Sequence, residues 1–124
     1  MKKVLIVEDE QPLQLAIKTK FEKLGVETVS ARSGDEAWRL LKQDGDIGAV
    51  WLDHYLLGDV SGLDTAARIK EDEDLKTLAI FVVSNTATDD KVQSYLHLGV
   101  DKYYTKAQAD LAKVVEEVIN VLGE

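Results

Sequence analysis

The chain has 124 residues, 45% hydrophobic and 31% charged, with 15 basic against 23 acidic side chains and a formal net charge of −8. This length suits one domain with a single core. The acidic balance argues against nucleic acid or an anionic membrane surface as a direct partner, because phosphate contacts need clustered Lys and Arg. There is no Cys, which removes disulfides, thiolate metal sites and Cys nucleophiles. No apolar run is long enough for a membrane span or a signal peptide, so a cytoplasmic location is expected.

Val4 to Val7 predicts a strand, and Glu8, Asp9 and Glu10 follow at once. Pro12 suits the first turn of a helix. Leu13, Ile17, Phe21 and Leu24 then recur at helical spacing until Gly25 stops the helix. Thr28 to Ala31 predicts a second, short strand. Ser33 to Glu36 reads as a capping box, Ser33 accepting from the third helical amide and Glu36 reaching back. Ala37, Leu40 and Leu41 mark the buried face of the second helix, which ends near Gly45. The third strand, Ala49 to Asp53, stays apolar through Leu52 with no alternation, as a strand covered on both faces does.

A loop from His54 to Gly62 leads to a third helix marked by Leu63, Ala66, Ala67 and Ile69, which runs into the acidic stretch Glu71 to Asp74. Leu78 to Val83 predicts a fourth strand, again apolar throughout. Asp89 to Leu98 predicts a short helix closed by Gly99, and Asp101 to Thr105 a fifth strand. Leu111, Val114, Val115, Val118 and Leu122 mark the last helix. Five strand-helix units with short connections imply an α/β fold, a doubly wound parallel sheet with helices on both faces and right-handed crossovers. Residues 1–124 are expected to form a single domain.

In such a sheet the carboxyl ends of the strands share one edge, where ligands bind. Glu8 and Asp9 stand beyond the first strand, Asp53 at the third, Ser84 at the fourth and Lys106 at the fifth. Three converging carboxylates repel, so the site needs a cation or a proton. Hard oxygen ligands without His or Cys suit Mg²⁺. A hydroxyl and an ammonium beside them suit a bound phosphoryl group. Taken singly, each residue has a plainer reading. Glu8 and Asp9 start a helix, Asp53 caps a loop, Ser84 sits in a turn, Lys106 is a solvated charge and Tyr103 is packing. His54 and His97 have no ligand partners at metal spacing and read as structural. Trp38 and Trp51 read as packing residues.

With those five positions in order, the chain resembles the receiver domain of bacterial response regulators over essentially its whole length. The resemblance implies a flavodoxin-like three-layer sandwich, its five-stranded sheet in the order 2-1-3-4-5. It implies that Glu8, Asp9 and Asp53, with the backbone carbonyl of Tyr55, hold Mg²⁺. Asp53 would accept a phosphoryl group from a sensor histidine kinase or a histidine phosphotransfer protein. Ser84 and Lys106 would assist, and Ser84 and Tyr103 would form the switch. The output would leave through the fourth helix, fifth strand and fifth helix. Such a domain assists its own phosphorylation and dephosphorylation and is not an enzyme with turnover.

The chain also departs from the family pattern. Leu57 stands where Pro is common, one extra residue precedes Ser61, Asn85 follows Ser84, and Ala107 replaces the usual Pro after Lys106. These departures motivate an alternative, a receiver-like interaction module that is not phosphorylated. They also raise the isomer of the Lys106–Ala107 bond, often cis in the family. A cis bond before Ala costs about 2.5–4 kcal/mol, so trans is expected, with Lys106 aimed less squarely at Asp53.

Overall fold

Five strands alternate with five helices: β1 (Lys3–Val7), α1 (Gln11–Lys23), β2 (Thr28–Ala31), α2 (Gly34–Gln43), β3 (Ile47–Leu52), α3 (Gly62–Glu71), β4 (Ala79–Ser84), α4 (Asp89–Leu98), β5 (Lys102–Thr105) and α5 (Leu111–Leu122). The computed structural model describes residues 2–85 and 88–123. The strands form one sheet, parallel throughout, in the order β2-β1-β3-β4-β5. Strand composition follows position. The three inner strands are almost wholly buried, whereas the edge strands β2 and β5 carry Thr, Ser and Lys and are mostly half-buried.

Alternate side chains of the sheet feed two cores. Leu5, Val7, Val50 and Leu52 pack under α2, α3 and α4, against Ala37, Leu41, Ala66, Ile69 and Tyr95. Val4, Ile6, Ala49 and Trp51 pack under α1 and α5, against Ile17, Phe21, Val114, Val115 and Val118. The edge of Trp51 meets Phe21, with ring centroids 5.9 Å apart.

Several boundaries differ from the sequence reading, each for a local reason. β3 begins at Ile47 because Lys3 pairs with Ile47 and Val4 with Ala49, leaving Gly48 as the extra residue of a bulge. A Cβ there would lie 2.9 Å from the Lys2 Cβ and 2.8 Å from Leu122. β3 ends at Leu52, so Asp53 lies just beyond the strand. β4 begins after Leu78, whose amide closes a turn onto the Leu75 carbonyl, and it includes Ser84, paired with Thr105. β5 begins at Lys102, since the Asp101 side chain is used in accepting from the Ile80 amide. Leu24 is not on the buried face of α1. It caps the helix and is 58% exposed, with Gly25 in the left-handed region.

Glu36 reaches back one residue further than a capping box requires. It accepts from the Arg32 amide at 2.8 Å, while Ser33 Oγ accepts from the Glu36 amide. The reciprocal box lies at α3, where Ser61 and Asp64 each take the other's amide.

Candidate phosphoacceptor site

One further rung of backbone hydrogen bonds ties the ends of β2, β1 and β3 to one another and the end of β5 to that of β4. The Asp53 amide donates to the Val7 carbonyl at 3.0 Å, the Glu8 amide to the Ala31 carbonyl at 3.0 Å, and the Lys106 amide to the Ser84 carbonyl at 2.8 Å. The side chains that follow are thereby turned toward one another. Glu8, Asp9 and Asp53 each offer a carboxylate oxygen, and these oxygens all lie within 4.8 Å of one another. Lys106 Nζ lies 2.8 Å from Glu8 Oε1 and 3.1 Å from Asp53 Oδ2. The other Asp53 oxygen, Oδ1, accepts from the His54 amide at 2.7 Å. Ser84 is fully buried at the end of β4.

The electrostatics follow from this packing. Glu8 is fully buried. Burial pushes its carboxyl up to about 7, with the hydrogen bond from Lys106 opposing and the charge of Asp53 adding to the rise. Burial also works against the Lys106 ammonium, but Glu8 and Asp53 outweigh it and its pKa is raised. Glu8 Oε1 is buried, and the Lys106 ammonium 2.8 Å away is its counter-charge. Three carboxylates that each bring one oxygen within 4.8 Å of the others, with no His or Cys among them, fit a small hard divalent cation such as Mg²⁺.

The supporting residues were only partly visible in the sequence. Gln14 Nε2 donates to the carbonyls of Glu8 and Ala31, both at 3.0 Å, and pins the turn after β1. Arg32 lays Nε and Nη2 on the Asp9 carbonyl at 3.2 and 3.1 Å. Arg32 follows β2, so collecting residues at all five strand ends would have included it.

The loop after Asp53 has a defined path. Leu57 bridges to Ser33 and its amide donates to the Arg32 carbonyl, and Gly58 then turns at φ +84°. Tyr55 is exposed, and Lys91 Nζ donates to its hydroxyl at 3.1 Å. His54 is buried, its Nδ1 2.6 Å from the Tyr95 hydroxyl, and burial lowers its pKa. Tyr103, half-buried on β5, packs against Tyr95 with centroids 5.5 Å apart. Burial raises its pKa, and a hydrogen bond with Ser84 works the other way. Among the described residues no peptide bond is cis. Lys106 nevertheless reaches both carboxylates, so the trans bond to Ala107 does not turn it aside.

The model of the response regulator receiver domain family matches residues 4–118. The chain belongs to that family. This receiver domain is 29% identical over 105 residues to the chemotaxis protein CheY1 of Helicobacter pylori, covering 84% of each chain. It superposes on a response regulator receiver protein from Pseudomonas putida with a TM-score of 0.88 at 29% identity, covering 96% of this chain and 95% of that one. The phosphorylated cyanobacterial phytochrome response regulator RcpA gives a TM-score of 0.80 at 28% identity, covering 97% of this chain and 90% of that one. The Mn²⁺-bound form of response regulator Rcp1 gives 0.83 at 26% identity, covering 95% and 91%. No described helix of this receiver domain is long and apolar enough to cross a membrane.

Proposed function

We propose that this receiver domain accepts a phosphoryl group on Asp53 from a phosphohistidine of a sensor histidine kinase or histidine phosphotransfer protein, in a Mg²⁺-dependent reaction. The observation that carries the reading is the reach of Lys106 Nζ to both Glu8 Oε1 and Asp53 Oδ2 beside the carboxylate cluster. An oxygen of Asp53 attacks phosphorus, the bond from phosphorus to the donor's imidazole nitrogen breaks, and its electron pair returns to that nitrogen. Lys106 holds a positive charge where the phosphoryl oxygens arrive. Ser84 offers them a hydroxyl donor, while the His54 amide holds the Oδ1 oxygen of Asp53.

The carboxylates of Glu8, Asp9 and Asp53, with the Tyr55 carbonyl, would hold Mg²⁺, which neutralises charge on the transferred group. The metal-bound Rcp1 and the phosphorylated RcpA support this reading by likeness. Water later releases the phosphoryl group, so the domain is a phosphoacceptor that assists its own chemistry. On phosphorylation the Ser84 hydroxyl is drawn inward, Tyr103 follows, and the signal leaves through the face of α4, β5 and α5. Such a step needs two discrete packings biased by differential contacts. A cytoplasmic setting is consistent with a kinase donor of this kind.

Labelling with acetyl phosphate tests the reading. Incorporation that needs Mg²⁺ and is lost in Asp53→Asn is the expected result. Wild-type labelling of Asp53→Asn would assign the acceptor elsewhere.

A further inference from the structure

The two residues that follow Asp53 are both held by α4. Tyr95, fully buried, places its hydroxyl 2.6 Å from Nδ1 of His54. One turn earlier, Lys91 Nζ donates to the Tyr55 hydroxyl at 3.1 Å and lies 5.1 Å from the centroid of that ring. Residues four apart share one face of a helix, so a single face of α4 grips two consecutive loop residues. The rings of His54 and Tyr95 also meet edge to face, with centroids 5.7 Å apart. The loop is confined from the other side by Gly62, whose amide donates to the His54 carbonyl at 2.8 Å. A Cβ on Gly62 would lie 2.8 Å from both His54 Cα and the Tyr95 hydroxyl. The loop therefore cannot shift freely between α3 and α4.

These two loop residues also serve the acceptor. The His54 amide donates to Asp53 Oδ1 at 2.7 Å, and the Tyr55 carbonyl is the fourth ligand in the functional reading above. We propose that Lys91 and Tyr95 are positioning residues. They clamp His54 and Tyr55, so that the state of the Asp53 carboxylate is transmitted directly to α4, in addition to any movement of Ser84 and Tyr103. The metal and phosphoryl parts of this proposal rest on the proposed function. The mechanical link from Asp53 to α4 does not.

The test separates the two by using a substitution as well as a phosphodonor. Asp53→Asn changes the group that the His54 amide serves without any phosphorylation. In ¹H–¹⁵N spectra of the full chain, Asp53→Asn is expected to shift the amides of Lys91 to Leu98. In a Tyr95→Phe background the same change should shift those amides less, while amides near Glu8 and Lys106 respond as before. Lys91→Ala removes the exposed half of the clamp with no buried change. It should weaken the α4 response even if Tyr95→Phe does not fold. An α4 response to Asp53→Asn of the same size in Lys91→Ala and in Tyr95→Phe, or in Lys91→Ala alone where Tyr95→Phe does not fold, overturns the clamp. Acetyl phosphate with Mg²⁺ forms the second arm. Failure of the native chain to label would refute the phosphoacceptor reading while the substitution arm still decides the clamp.

Discussion

Glu8 combines full burial, an ion pair with Lys106 and a neighbouring carboxylate, and this combination has a measurable consequence. Its carboxyl is raised to about 7 from an ordinary value of 4.5. Between those values the folded chain holds a proton that the unfolded chain releases. The Glu8 contribution to stability is therefore present below about pH 4.5, is lost as pH rises toward 7, and is level above that. The slope of the contribution cannot exceed about 1.4 kcal/mol per pH unit, one proton's worth. Urea midpoints of the metal-free protein between pH 5 and pH 8 should show this decline, and Glu8→Gln should flatten it. An unchanged slope in Glu8→Gln would place the titration elsewhere. Lys106 is the counterweight. Lys106→Met leaves Glu8 and Asp53 without their ammonium and should destabilise the metal-free protein at pH 8 by about 3–5 kcal/mol, less at pH 5, where Glu8 carries its proton. Equal losses at both pH values would argue against the pairing.

At the scale of elements, α3 bears on the site through its first residue. Gly62 lies against the backbone of Asp53 and His54, so a Cβ there has nowhere to go. Gly62→Ala should cost at least about 1–3 kcal/mol, the usual penalty of overpacking. Gly45→Ala, at a position with nothing within 4 Å and no positive φ, should stay within about 0.5 kcal/mol of the parent. Thermal unfolding of the two variants side by side checks the contrast, and equal stability would remove α3 as a constraint on the acceptor loop.

The same scale shows what was legible in the sequence. The inner strands were plain because both their faces are buried, and their apolar runs stop abruptly at Glu8, Asp53 and Ser84. The starts of β3 and β4 were less plain, since a bulge at Gly48 and a turn closing at Leu78 leave no mark in an apolar run. Glu8, Asp9, Asp53 and Lys106 could be collected by the strand-end rule. Tyr95 could not, because its partner His54 is 41 residues away, and a buried Tyr in a helix looks like any other core residue until its hydroxyl finds an acceptor.

Across the whole molecule the sheet divides two cores, and each Trp reports a different environment. Trp51 is fully buried between the sheet and the α1–α5 layer, two residues before Asp53. Trp38 is half-buried on α2, with Arg68 4.1 Å and Lys42 5.4 Å from its ring centroid. Trp38→Phe should therefore leave a blue-shifted emission from Trp51 that changes on titration with Mg²⁺. A response that follows Trp38 instead would detach the metal from the strand-end site. The central claim is transfer of a phosphoryl group to Asp53, and the most direct measurement locates that group. The chain is incubated with a phosphorylated histidine phosphotransfer protein and Mg²⁺, trapped with borohydride, which converts an aspartyl phosphate to homoserine, and sequenced by mass spectrometry. The account predicts homoserine at position 53. Trapping at another Asp, or an unmodified chain with a donor shown to be competent on a second receiver, would contradict it.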